Sequence, residues 1–513
     1  MSKFSRRDFL KLFAGFSAGI ALSGLRQTID ALPVQASGKP NIIILLLDAM
    51  SANALSLYSY PRETTPNLSR FAQRATVYHA HYAAGNYTTP GAASILTGML
   101  PWHHRAINLR GPVRRDFVGK DIFALMGPDY YRAAFTQNMF ADVFLRQFHA
   151  NIDMHVPLTS FRLDRGPSLV SEVFPSDPLV SYYAFDNFQD ALETPATLAS
   201  NYLNWLYARD AQKVSEAVKD DYPYGPPTNT YNYFYNDVVF GGVAQIITKL
   251  TQQAKPFFAY LHLYSPHQPY APRKEFVGIF PHMDFIRKPF HKLSNNHLSQ
   301  DALYDLRTLY DEFIANVDAE FGKLLNAMDQ LGILENSYVF VTSDHGDLFE
   351  RGEHGHLTYL LYDNILHIPL IVSSPGQKTR RDIYASTNSA DLLPTILSLL
   401  GRDLPDSLDG KTLPGLGGKE DLERSIFTIE AKESSAFLPL TKASISMIKG
   451  DYKIIYYFGY PKKLPISFEL YNLRDDADEL NNLFAANQVM ASRMKEELLD
   501  ALDASNRSIR QVK

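Results

Sequence analysis

The run Asn41–Leu47, NIIILLL, followed at once by Asp48, constrains this chain more than any other feature. A row of six branched aliphatic residues leaves no polar face for solvent, so the segment reads as a strand buried on both sides, as in a parallel sheet between helices. Similar runs return at 256–263, 337–342 and 368–372, and helical periodicity occupies 301–331 and 390–400. Strands alternating with helices predict an α/β fold with a mostly parallel central sheet flanked by helices. Ligand sites in such sheets form at the carboxyl ends of the strands. Asp48 and the pair Asp344 and His345 each stand just past the end of an expected strand.

A loop rich in Pro and Gly follows Gly401, then strand patterns at 425–429 and 452–458 and a final helix. These predict a smaller C-terminal α+β subdomain over 402–513 with an antiparallel sheet, after a catalytic domain over 37–401. From about 160 to 245 the periodicity weakens into a Tyr-, Pro- and Asn-rich stretch, YPYGPPTNTYNYFYND. It reads either as an insertion over the site or as a packed excursion without a role in recognition.

The first residues, MSKFSRRDFLKLFAGFSAGIALSGL, join the twin arginines Arg6 and Arg7 to a modest apolar run, with a cleavage pattern at Val34, Gln35 and Ala36. Residues 1–36 therefore read as a twin-arginine signal peptide, which implies passage through that export machinery to the periplasm or beyond. Glycines and a serine interrupt the run short of the ~20 apolar residues a span needs, and no later stretch supplies an integral membrane segment. The chain has no cysteine, so neither a disulfide nor a thiolate enters its chemistry. Formal charge is −5, and with five basic and two acidic residues in the first 36 the remainder carries −8. No basic stripe is left to hold nucleic acid.

Asp48, Asp344 and His345 offer carboxylate and imidazole ligands for a divalent cation. The bland readings are a helix N-cap and an ordinary hydrogen-bonded histidine. TTPGAAS, from Thr88 to Ser94, opens an expected helix, with Thr89 as N-cap and Pro90 at the first helical position. Amides and dipole there favour an anion, so a hydroxyl at this place suits attack on phosphate once a metal lowers its pKa; from these seven residues alone the simpler reading is that both threonines only cap the helix.

The segments LLLDAMSANALSLYSYPRETTPNLSRFA, TTPGAASILTG, SPHQPY, VTSDHGDLFERGEHG, DLLPTILSLLG and ELYNLRDDADELNNL follow one another from 41 to 483. In that order they resemble the signatures of the sulfatase-like family of the alkaline phosphatase superfamily. The resemblance implies that Asp48, Asp344 and His345 bind metal, that Thr88 is both nucleophile and metal ligand, and that His267 contacts the bound oxyanion. His354 and His356 fall in the turn that follows the Asp-His pair, where binding the oxyanion, protonating the leaving group and ligating a second metal are the open roles. Asp347 is expected either to orient His345 or to be a solvated acid.

The departures matter as much. A formylglycine sulfatase carries Cys or Ser, then Pro and Arg at alternate positions, whereas here stand Thr88, Pro90 and Ala92. Formylglycine is therefore excluded. The paired aspartates of the family become Asp48 and Ala49, which removes an oxygen ligand and favours zinc or manganese, with calcium as the alternative. Gln137 and Asn138 replace a Lys and a His, leaving Asn138 as an oxyanion donor or a surface amide.

Threonine at this place resembles relatives that act on phosphate. The expected function is hydrolysis of phosphate mono- or diesters, on a small-molecule, glycan or lipid-head-group substrate. The rivals are a sulfuric ester hydrolase working without formylglycine, a phosphotransferase to an envelope glycan, and an inactive binding protein.

Overall fold

Three strands of one sheet share a register that carries their C-terminal ends to the same level. The computed structural model describes residues 38–163, 215–229, 232–460 and 464–511, with isolated positions from 202 to 213. The expected signal peptide and much of the expected aromatic insertion lie outside these residues.

The main sheet contains β1 (Asn41–Leu47), β2 (Thr76–Tyr78), β3 (Tyr131–Thr136), β4 (Met154–Val156), β5 (Phe257–Leu263), β6 (Ser337–Thr342), β7 (Leu370–Ser373) and β8 (Arg381–Ile383). Their spatial order is β8-β2-β7-β6-β1-β5-β3-β4. The sheet is mostly parallel, as expected; β7 alone runs antiparallel to both its neighbours. Leu46 of β1 lies opposite both His262 of β5 and Thr342 of β6, and His262 in turn lies opposite Thr136 of β3. Two residues further on, Asp48, Asn138 and Asp344 therefore emerge side by side.

Period-two alternation divides β1 between two cores, which is why the strand shows no polar face. Ile43, Leu45 and Leu47 pack with the helices Asn236–Thr251 and Gln300–Gln330 on one side. Ile42, Ile44 and Leu46 pack on the other with Thr88–Thr97, Met139–Gln147 and Leu392–Leu399. Burying one such aliphatic side chain contributes about 1.5–3 kcal/mol, so this strand anchors both layers. The expected helix over 390–400 divides into a 3-10 turn, Ser389–Asp391, capped reciprocally by Asn388 and Asp391, and the helix Leu392–Leu399.

The C-terminal domain is a four-stranded antiparallel meander of Ile426–Glu430, Ala443–Lys449, Tyr452–Tyr460 and Leu464–Asn472, two strands more than the sequence reading predicts. Ala491, Met494, Leu498 and Leu502 of the helix Gln488–Gln511 cover one face. The other face, through Ile455, Tyr457 and Tyr471, packs against Leu348 and the segment Leu360–Tyr362. That contact seats the hairpin of Leu348–Glu350 and Glu353–Gly355, which carries the last site residues. Among the described residues no helix is long and apolar enough to cross a membrane.

Candidate active site

The helix Thr88–Thr97 starts two residues earlier than the sequence reading places it, with Tyr87 as N-cap and Thr88 in the first turn. Thr89 is thus not the cap, and its Oγ1 accepts from the Arg110 amide at 3.3 Å instead. The helix can sit against the end of β6 because residue 91 is glycine: a Cβ there would come 2.4 Å from the carbonyl oxygen of Asp344. This close approach delivers Thr88 to the strand ends.

Asp48, Asp344 and His345 lie together with ligand atoms within 4.8 Å of one another, all three buried. His345 Nδ1–H donates to the Gly346 carbonyl at 2.8 Å, which leaves Nε2 with its lone pair 3.3 Å from Thr88 Oγ1 and 3.5 Å from Asp48 Oδ1. Asp48 Oδ1 and Asp344 Oδ2 have no hydrogen-bond partner, although both residues are fully buried. Unpaired buried carboxylate oxygens are costly, several kcal/mol per ion by order of magnitude, unless a cation meets them. Burial opposes ionisation of Asp48, but His267, His262 and His345 hold its carboxyl below the usual range. Burial and then the charge of Asp48 push Asp344 up. Burial opposes protonation of His345, yet Asp344 and Asp48 raise it overall. Two orphaned oxygens and one imidazole lone pair around a single point suit a divalent cation.

Asn138, the N-cap of the helix Met139–Gln147, is buried, which rules out the surface-amide reading. Its Nδ2 donates to Asp48 Oδ2 at 2.6 Å and to Thr88 Oγ1 at 3.1 Å, while Oδ1 caps Phe140 N at 2.8 Å. Both amide hydrogens therefore face Asp48 and Thr88, and the residue steadies these two side chains relative to each other. His262, absent from the sequence reading, stands fully buried with Nε2 at 3.1 Å from Asp48 Oδ2 and Nδ1 at 3.1 Å from Tyr260 OH. The signal was an imidazole at the penultimate position of an otherwise apolar buried strand.

A second group lies alongside. The rings of His267, His345 and His356 are neighbours, with His356 centred 4.6 Å from His267 and 4.4 Å from His345. His267 Nδ1–H donates to the Gln268 carbonyl at 2.5 Å. Asp347 neither orients His345 nor meets solvent: fully buried, it accepts from His356 Nδ1 at 3.1 Å and from Tyr270 OH at 2.5 Å. Burial, with His345 and His267 nearby, lowers the His356 pKa to about 4 against the pull of Asp347. The two candidate histidines of the hairpin are thus separated. His356 joins the cluster, whereas His354 meets Tyr270 OH through Nε2 at 3.1 Å; both line a cleft of about 330 Å³ together with Gln268, Asn296 and Glu353. A larger cavity, about 770 Å³, is lined by Tyr60, Phe285, Tyr304 and Glu350 and includes none of the metal-cluster residues.

The family model for sulfatases matches residues 40–402, most of the chain. The protein belongs to the sulfatase family. A second model, for the C-terminal part of N-sulphoglucosamine sulphohydrolase, matches residues 352–506. The uncharacterized sulfatase YidJ of Escherichia coli is 24% identical over 492 residues, 91% of this chain and 87% of that protein. A phosphonate monoester hydrolase of Agrobacterium radiobacter shares the fold, with a TM-score of 0.62 and 20% identity over 91% of this chain and 96% of that one. A 2-O glycosaminoglycan sulfatase does so at a TM-score of 0.62 and 16% identity, over 93% and 94% of the two chains. The sulfatase family is metal-dependent, and in this member the group that fits an ion is Asp48, Asp344 and His345. The protein is accordingly a sulfatase-like ester hydrolase.

Proposed function

We propose that this sulfatase-family protein hydrolyses phosphate mono- or diesters with Thr88 as its nucleophile, after export by the twin-arginine route to the periplasm or beyond. One observation carries the reading: Thr88 Oγ1 sits in the first turn of a helix, 3.3 Å from His345 Nε2 and 3.1 Å from Asn138 Nδ2, beside two carboxylates that each keep an unpartnered oxygen. A threonine cannot become formylglycine, so the side chain must attack as its own alkoxide. Asp48, Asp344 and His345 would hold the ion, zinc or manganese before calcium because one of three ligands is nitrogen. Bound there, a divalent cation supplies the charge that lowers the hydroxyl pKa and neutralises a substrate oxygen.

The chain's own residues do the rest. Asn138 points Thr88 Oγ1 by donating to it, and the helix N-terminus offers amides to the anion. Thr88 Oγ1, its proton lost to solvent, bonds to phosphorus as the ester P–O bond breaks in line, giving phosphothreonine and an alkoxide that takes a proton from water and leaves as the alcohol. His267 and His356 flank the position of the equatorial oxygens, where fixed groups contribute most. His356, unprotonated at neutral pH with its Nδ1–H on Asp347, takes the proton of the water that then cleaves the phosphothreonine.

A sulfuric ester hydrolase working directly through Thr88 is the second reading, favoured by the match of residues 352–506 to the sulphohydrolase model. Metal-stripped protein reconstituted with zinc, manganese or calcium, assayed on p-nitrophenyl phosphate, bis-p-nitrophenyl phosphate and p-nitrophenyl sulfate, separates the two. Phosphate turnover that needs metal and Thr88 supports the proposal, and preference for the sulfate overturns it.

A further inference from the structure

We propose that Tyr270 is a positioning residue for His356; only the kinetic arm of its test rests on the hydrolytic reading above. The donors along this line can be assigned one at a time. His356 Nδ1 lies 3.1 Å from Asp347 Oδ1, and a carboxylate only accepts, so Nδ1 carries the proton and Nε2 the lone pair. The other oxygen, Asp347 Oδ2, receives Tyr270 O–H at 2.5 Å, which commits the single phenolic proton. His354 Nε2, 3.1 Å from the same hydroxyl, is left to donate to the Tyr270 oxygen.

The line therefore joins two histidines of the cleft, His354 and His356, and the second also lies beside His345, with the donor at each link determined. Asp347, His356 and Tyr270 are at most 4% exposed, so water does not substitute for a missing partner. A carboxylate held at one oxygen can turn about its own axis; held at both, it fixes the plane and tautomer of the imidazole it faces. Tyr270 is itself wedged between Tyr310 and Phe349, with ring centroids 5.1 and 5.8 Å away. That packing lets it act as the fixed end of the line.

On metal-loaded enzyme Tyr270→Phe is expected to lower kcat about 10-fold while leaving KM unchanged, the usual size for losing an outer partner of a site imidazole. In a His356→Gln background the same change is expected to cost nothing more, because a residue acting through another is silent once that other is gone. Nitrogen-15 NMR of histidine-labelled protein reads the tautomer without any turnover, and the His356 signal is identified by its loss in His356→Gln. Wild type is expected to show the proton on Nδ1, and Tyr270→Phe a mixture of tautomers. A wild-type proton on Nε2, an unchanged tautomer in Tyr270→Phe, or a kinetic loss undiminished in the His356→Gln background overturns the proposal. If neither phosphate nor sulfate esters are turned over, the hydrolytic reading fails and the spectra still decide the role of Tyr270.

Discussion

The two halves of the site are built to opposite standards of completeness. Around Asp48 and Asp344, at the ends of β1 and β6, two buried carboxylate oxygens have no hydrogen-bond partner among the described residues. Around Asp347, on the hairpin side, both carboxylate oxygens are taken, by Tyr270 and His356. The first half leaves ligand atoms open, and the second is satisfied by the chain itself. Two open carboxylate oxygens beside an imidazole suit an ion, whereas a carboxylate bonded at both oxygens fixes the side chains around it.

The sharpest way to break this comparison is at the point where the halves meet. Thr88→Ala is expected to reduce turnover on the order of 10⁶-fold, the scale seen for removing a nucleophile, while metal stoichiometry by elemental analysis stays at the wild-type value. Retention of activity would sink the assignment of Thr88. Asp344→Asn should abolish the rise in melting temperature that added zinc or manganese gives the wild type. The sign in metal-free protein is the reverse. Burial and Asp48 raise the pKa of Asp344, so its ionisation costs stability as pH climbs through that raised value, and the asparagine variant should be the more stable of the two near neutrality. A metal-free Asp344→Asn that melts below wild type at pH 7 would mean the open half is less strained than its geometry implies. Asn138→Ala keeps all three metal ligands, so about a 100-fold loss of kcat with normal metal content is expected, comparable to losing one positioned donor. Equal loss of metal would make the amide structural.

The smallest effect concerns histidines outside both halves. His81 and His104 are fully buried, and burial drives each pKa down to about 3. Both stay neutral in the folded chain while the unfolded chain takes up protons below about pH 6.5, so stability is full above that value and falls as pH drops. The expected slope is up to about 1.4 kcal/mol per pH unit per histidine, read from denaturant melts between pH 7 and 5, and His104→Gln should flatten it.

Much of this was legible in the sequence where a signal is local. The runs that became β1, β5 and β6 are continuous because both faces are covered, and Asp48 and Asp344, just past the ends of β1 and β6, were expected near one another from the fold class alone. The strands Ala443–Lys449 and Leu464–Asn472 were not, since serines, a proline and a glutamate interrupt their apolar pattern and only cross-strand pairing makes sense of them. His262 was hidden by the same uniformity that revealed its strand. The partner of Asp347 was out of reach for another reason. Phe349 pairs with His354 across the hairpin, so which histidine turns toward the cluster is set by a turn and by Tyr270, distant in sequence.

Gly91 and Ala92 also bear on how readily this site could change its chemistry. The helix that carries Thr88 touches the β6 end with no room for a Cβ at 91, and Ala92 is sealed in the core with Ile42 and Ile44. Writing Cys at 88 and Arg at 92 would restore the formylglycine signature on paper, but the guanidinium would have to enter a packed apolar layer, at a typical cost of about 1–3 kcal/mol for overfilling alone. With the helix held this close to its sheet, those two changes alone would not install the cysteine chemistry; the helix would first have to lift.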